Sequence, residues 1–296
     1  MQVPPKVGED VFYIGYNNNN KNMLSNIRHL ALDMDGTIYK GKNLFPYTQQ
    51  AFDILDSCGV SYTYLTNNSS LSATDYVNKI NRLGLRGTLD NLYTSSLATL
   101  AYLHKHHPEF RSVYLLGTES LKTEFHEAGY RIVSDDVTDE PDFVIVAFDT
   151  DMIYTSLCKS AWWIKQGKPY FATHPDKICP TDLPTILVDC GAICDCLASA
   201  TGRIPDKVFG KPDPSMLEGI METHDLLPHE LAMVGDRLYT DIEMAHRAGV
   251  MGVLVLSGEA TQEDLDRSGL NPEIVIENIL ALAAKIKETK NCSCTV

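Results

Sequence analysis

The chain has 296 residues, 44% of them apolar and 22% charged, enough to bury one large core or two modest ones. Its formal charge of −14 argues against nucleic acid or an anionic membrane as a main partner, because both reward clustered Lys and Arg. No charged-then-apolar leader pattern and no long apolar run is present, so a soluble, cytoplasmic protein is expected.

In chain order, Asn17 to Asn20 is a polar tract without packing value, and residues 1–23 are expected to extend outside the fold. Residues 27–32 are mostly apolar and stop at Asp33, as a buried parallel strand would. Residues 60–65 are rich in β-branched and aromatic side chains and end at Thr66-Asn67-Asn68. Ser72 with Asp75 has the form of a capping box ahead of a helix over 76–83. A second α/β block follows, with strands expected over 113–117, 143–148 and 170–173 and helices over 119–128 and 155–166. Asp213 with Pro214 reads as an N-cap and N1 proline before 216–221. Residues 231–234 lead into Gly235-Asp236, and 253–256 into Ser257-Gly258. Thr261 with Asp264 opens a last helix that Gly269 closes. Strands alternating with helices predict an α/β protein with a doubly wound parallel sheet, whose ligands bind beyond the carboxyl ends of the strands.

Those strand ends carry the chemistry. Asp33 is a candidate nucleophile, a carboxylate able to attack phosphorus, or else an acid that caps its own loop. Asp35 is a candidate general acid and base, since two carboxylates so close tend to raise the pKa of one of them and keep a proton available, or a turn residue before Gly36. Asp236 and Asp241 supply the oxygen ligands a magnesium site needs, although Asp241 also has the place of a helix N-cap before 242–248. Lys211 lies between Gly210 and Pro212 where a lone Lys is ordinarily a solvated surface residue. Arg237 reads equally as a partner of the acids or as a surface residue. The 8 cysteines are too sparse for a disulfide framework. Cys190, Cys194 and Cys196 lack zinc spacing and are expected to be reduced structural thiols, while Cys292 and Cys294 sit in a polar tail.

The segments Asp33-Met34-Asp35-Gly36-Thr37, Thr66-Asn67-Asn68, Gly210-Lys211-Pro212 and Gly235-Asp236 through Asp241 occur in an order and spacing that resembles the haloacid dehalogenase (HAD) phosphohydrolase superfamily. More narrowly the chain is similar to the subfamily of NagD and p-nitrophenyl phosphatase type, with a large cap inserted mid-chain. The resemblance spans roughly residues 24–288. It implies a Rossmann-like core over 24–106 and 208–290 and an α/β cap over 107–207. It further implies Mg²⁺ held by Asp33, the Asp35 carbonyl and Asp236, with Asp241 one shell out. Thr66 and Lys211 would then hold the phosphoryl oxygens, with Asn67 and Asn68 as further donors. In the cap, Ala172-Thr173-His174-Pro175-Asp176 resembles a family segment that usually reads A-T-N-x-D. His174 stands in place of the Asn, and with Asp176 it is the expected substrate loop. Residues 188–192 depart from the family's Pro-Gly-x-Gly turn.

The resemblance implies a phosphomonoesterase acting on a small phosphorylated metabolite, with a homodimer through the cap expected. A phosphomutase on the same core is the alternative, though mutases of the superfamily mostly carry the small helical cap. An inactive binding protein on the same scaffold would not need all the acidic and cationic positions that are present.

Overall fold

The strand His29–Asp33, sequence HLALD, is buried at every position, so it has no solvent face and reads as a central parallel strand. The computed structural model describes residues 23–180 and 185–290. The extension expected over residues 1–23 lies, apart from Met23, outside the described residues, as do Cys292 and Cys294. The chain divides into two units, Met1–Tyr62 with Leu226–Val296, and Thr63–Asp225.

In the first unit, His29–Asp33 pairs in parallel with Leu231–Gly235, in register His29 to Leu231. Leu231–Gly235 pairs with Met251–Val255, which pairs with Ile274–Ile276, again in parallel. Asp33 and Asp236 therefore stand at the carboxyl ends of adjacent strands, where such sheets place their chemistry. The helices Thr48–Ser57 and Ile279–Lys290 pack against each other. Gln262–Ser268 has the expected capping box from Thr261 and Asp264, and Gly269 ends it at φ 69°. A π-helical turn, Leu238–Ile242, intervenes before the helix Glu243–Ala248. Asp241 therefore lies inside that turn and is not a helix N-cap.

The strand Ser61–Thr66 begins in the first unit, where Ser61 N donates to Arg28 O, and runs on into the second, where it pairs with Leu92–Thr94. Ser72 accepts from Asp75 N and starts the helix Ala73–Arg82, three residues earlier than expected, but its own N donates to Ser120 Oγ, so only half of the expected capping box forms. The second unit also holds a five-stranded parallel sheet. Its order is Lys207–Val208, Tyr170–Ala172, Phe143–Val146, Ser112–Leu116 and Arg131–Ile132. Alternate residues of its strands serve two cores. Tyr114, Leu116, Val144, Val146 and Tyr170 pack with Trp163, Ile193 and Leu197 from the helices Tyr154–Lys165 and Cys190–Thr201. Val113, Leu115, Phe143, Ile145 and Phe171 pack with Leu100, Leu103, Leu121 and Phe125 from Ser95–His106 and Glu119–Glu127. Both faces are covered, which is why these strands read as unbroken apolar runs. Phe143 stacks on Phe110 at 4.9 Å and meets Tyr130 edge-on at 5.4 Å. Truncating such a side chain to Ala costs about 3–5 kcal/mol.

The expected insert, 107–207, lies wholly within this unit. The helix Ser215–His224 is capped one residue later than expected, at Pro214, with Asp213 Oδ1 accepting from Ser215 N. Cys190 and Cys194 are buried free thiols in the core, whereas Cys196 is an exposed one. Among the described residues no helix is long and apolar enough to cross a membrane.

Candidate active site

In the first unit, Asp33, Asp236 and Asp241 each offer a carboxylate oxygen, and these atoms lie within 4.8 Å of one another. All are buried, Asp241 completely. Like charges this close in a low-dielectric site repel strongly. Burial first, then the charges of Asp33 and Asp241, push Asp236 up to about 8. Asp236 Oδ2 accepts from Glu259 N at 2.7 Å, but its buried Oδ1 has no hydrogen-bond partner among the described residues. An all-oxygen donor set with an unanswered buried oxygen and an excess of negative charge fits a hard divalent cation.

The backbone around Asp236 is built to let it in. Gly36 has φ +89°, and a Cβ there would meet Asp236 Oδ2 at 2.2 Å; at Gly258 it would meet the same atom at 2.0 Å. Only glycine fits at either place. Ser257 Oγ donates to Gly36 O at 2.7 Å and ties the two loops together. Asp241 Oδ2 accepts from Arg237 N at 3.0 Å, so this acid also fixes the loop after the strand. Arg237 pairs through Nε with Glu259 at 2.9 Å. Burial opposes its charge, but Tyr239, Asp33, Glu259 and Asp236 more than compensate and raise its pKa. It is thus a partner of the acids, not a free surface residue. Asp35 is exposed, with Oδ2 accepting from Gly41 N at 3.3 Å.

In the second unit, Thr66 ends its strand and its Oγ1 accepts from Asn68 N at 3.2 Å. Lys211 is 4% exposed, far from the solvated state usual for Lys. Asn67 brackets its backbone: Oδ1 accepts from Lys211 N at 2.6 Å and Nδ2 donates to Lys211 O at 3.1 Å. The Lys211–Pro212 peptide is cis. Asn67 Nδ2 also donates to the half-buried Asp176 carboxylate at 3.2 Å. The Asn68 side chain accepts from Ser70 N and Oγ, closing the loop on itself.

His174 is fully buried. Its Nε2 meets Asp189 Oδ1 at 2.8 Å and its Nδ1 meets Thr173 Oγ1 at 3.0 Å. Burial alone would lower its pKa, but Cys190, the hydrogen bond to Asp189 and the charges of Asp189 and Asp176 raise it to about 9. Of the expected cap pair, only Asp176 reaches partial exposure, and His174 faces inward. Asp189 was not a candidate from sequence. It caps the helix Cys190–Thr201 by accepting from Cys190 N, and an Asp just ahead of the 193 and 197 apolar positions is the signal for that. The two departures from the family pattern, His174 and Asp189, thus pair with each other.

A model described as haloacid dehalogenase-like hydrolase matches residues 30–131, and a second, HAD-hydrolase-like, matches residues 208–282. The 4-nitrophenylphosphatase of Thermotoga maritima is 37% identical, with a TM-score of 0.83 over 88% of this chain and 98% of that one. The acid sugar phosphatase of Staphylococcus epidermidis is 29% identical over 87% of this chain and 97% of its own length. The glycerol phosphate phosphatase of Mycobacterium tuberculosis, solved in complex with magnesium, is 27% identical, with a TM-score of 0.81 over 88% of this chain and 78% of that one.

Proposed function

Since the chain belongs to the haloacid dehalogenase-like hydrolases, as a phosphatase of the NagD and p-nitrophenyl phosphatase type, we propose that it is a Mg²⁺-dependent phosphomonoesterase working through an aspartyl-phosphate. Its substrates are small esters: sugar phosphates, glycerol phosphates or nucleoside monophosphates. The first two classes are those in the names of the Staphylococcus epidermidis and Mycobacterium tuberculosis relatives.

What carries this is the buried trio Asp33, Asp236 and Asp241, with an orphaned oxygen on Asp236. Asp33 attacks phosphorus while the ester oxygen leaves with a proton from Asp35. Water, giving its proton to Asp35, then attacks the acyl-phosphate and releases inorganic phosphate. Asp35 thus gives up one proton and regains one per cycle, and its exposure leaves it open to the leaving oxygen and to the attacking water. Asp33, Asp236 and the Asp35 carbonyl would hold Mg²⁺, and Asp241 would orient the surrounding groups. When bound, the ion offsets the repulsion between a carboxylate and a dianionic phosphate, an effect of several kcal/mol. Thr66 Oγ1, the Asn68 backbone and Lys211 hold the phosphoryl oxygens, and Asn67 acts on them through the Lys211 backbone. Residues 107–207 form the cap that selects the leaving group, with Asp176 as its polar contact.

The test is phosphate release by purified protein from a panel of esters, with Mg²⁺ and with EDTA. Turnover of no ester in Mg²⁺ ends the phosphatase reading. Full turnover in excess EDTA ends its metal part.

A further inference from the structure

Asp189 is buried, accepts from the first turn of its own helix, and meets His174. The contact does not stop there. His174 Nδ1 meets Thr173 Oγ1, and Thr173 Oγ1 meets Ser69 Oγ at 3.0 Å. Ser69 Oγ accepts from Phe148 N at 3.1 Å, so its own proton, or that of Thr173, lies between the two hydroxyls. Ser69, Thr173 and His174 are completely buried. The loop that begins at Thr66 is therefore tied to the loop at 173–176 in two places, through Ser69 to Thr173 and through Asn67 to Asp176.

We propose that Asp189 and His174 act as one positioning unit, setting the direction of a hydrogen-bond chain through Thr173 to Ser69 and so fixing the loop that carries Thr66, Asn67 and, through Asn67, Lys211. This rests on the phosphatase reading, in which that loop and Lys211 hold the phosphoryl group. With both ring nitrogens protonated, His174 donates to Asp189 and to Thr173, and the Thr173 proton turns away from the ring, to Ser69 Oγ at 3.0 Å or to the longer contact with Cys190 Sγ at 3.7 Å. With Nδ1 deprotonated it becomes an acceptor, Thr173 turns its proton inward, and the chain reverses. The charged or titratable groups facing the ring are Asp189, Asp176 and Cys190. Small displacements of a phosphate-holding group cost up to about 100-fold in rate, so a loosened tie is visible kinetically.

The experiment compares Asp189→Asn and Ser69→Ala with wild type. Asp189→Asn keeps the shape and the helix cap but removes the charge that holds the His174 proton. Ser69→Ala cuts the chain without disturbing the buried pair. kcat and KM are measured from pH 6 to 10 on p-nitrophenyl phosphate and on the best ester of the panel. The His174 titration is followed separately by NMR. At neutral pH both variants should lose about tenfold in kcat, by the same factor on both esters. In Asp189→Asn the alkaline fall of kcat should move down together with the His174 titration. Profiles that superimpose on wild type while His174 titrates lower would overturn the positioning role. A loss confined to one ester would also overturn it, making His174 a leaving-group contact. Wild type inactive on every ester would instead sink the phosphatase reading, and the NMR titration would still report on the pair.

Discussion

Asn67 holds Lys211 by both of its backbone polar groups, accepting from Lys211 N at 2.6 Å and donating to Lys211 O at 3.1 Å. A side-chain amide here replaces the partner that a regular ladder would supply, and it fixes where the ammonium stem begins.

Asn67→Ala should therefore act as a remote loss of Lys211. Two buried backbone groups lose their partner, at a cost of about 1–3 kcal/mol each, so Tm should fall. In steady-state kinetics KM should rise and kcat drop together, as for Lys211→Ala, because the transferring phosphoryl needs that charge in ground and transition states. Unchanged kinetics in a folded Asn67→Ala protein would break the link between the two residues.

Metal removal has a thermal signature. Asp236 has its pKa raised to about 8, above the ordinary carboxylate value near 4, so without metal the folded state binds more protons than the unfolded one between those values. Stability in EDTA should accordingly fall as pH rises from about 4 to about 8. Asp236→Asn should flatten that slope and lose the Tm gain on adding Mg²⁺. Ca²⁺ should raise Tm like Mg²⁺ but support little turnover, since its looser coordination spoils in-line attack. A wild-type Tm in EDTA that does not vary with pH would contradict the crowding of these acids.

Asp33→Asn should abolish turnover with the fold nearly unchanged, because the nucleophile is gone. Asp35→Asn should slow both half-reactions and let phosphorylated protein accumulate, detectable as an added phosphate by mass spectrometry after acid quench. Comparable activity of Asp33→Asn and wild type would exclude the covalent route.

The His174–Asp189 pair gives a pH slope of the same sign in a higher window. With its pKa raised from 6.5 to about 9, the His174 contribution is fully present below about 6.5 and is lost as pH rises through 9. Urea titrations at pH 6.5 and 9.5 should differ by a few kcal/mol in wild type and by much less in His174→Asn. Equal differences in both proteins would mean that the ring is neutral throughout.

The motifs were legible because buried parallel strands are apolar runs with chemistry at their ends. His29–Asp33 and Leu231–Gly235 announce Asp33 and Asp236 by this pattern alone. Short pairings were not legible. Lys207–Val208, Arg131–Ile132 and Ile274–Ile276 are too brief to show a period. Only the N-cap reading of Asp241 fails, because the π-helical turn shifts the helix start past it and local capping rules assume regular geometry. The His174–Asp189 contact joins residues 15 apart in sequence across a hairpin, and no spacing rule reaches it.

The glycines at 36 and 258 leave Asp236 no room to trade. A methyl group at either would sit 2.2 or 2.0 Å from its carboxylate oxygen, so the mutational neighbourhood of this acid is closed on two sides by main chain. Side-chain pockets drift by small swaps among their lining residues, and this one has none to swap there. Evolution toward another ion, or a laboratory search for one, has to begin by replacing the ligands themselves. Random libraries should accordingly return cap variants with altered substrate choice far more often than core variants with altered metal choice.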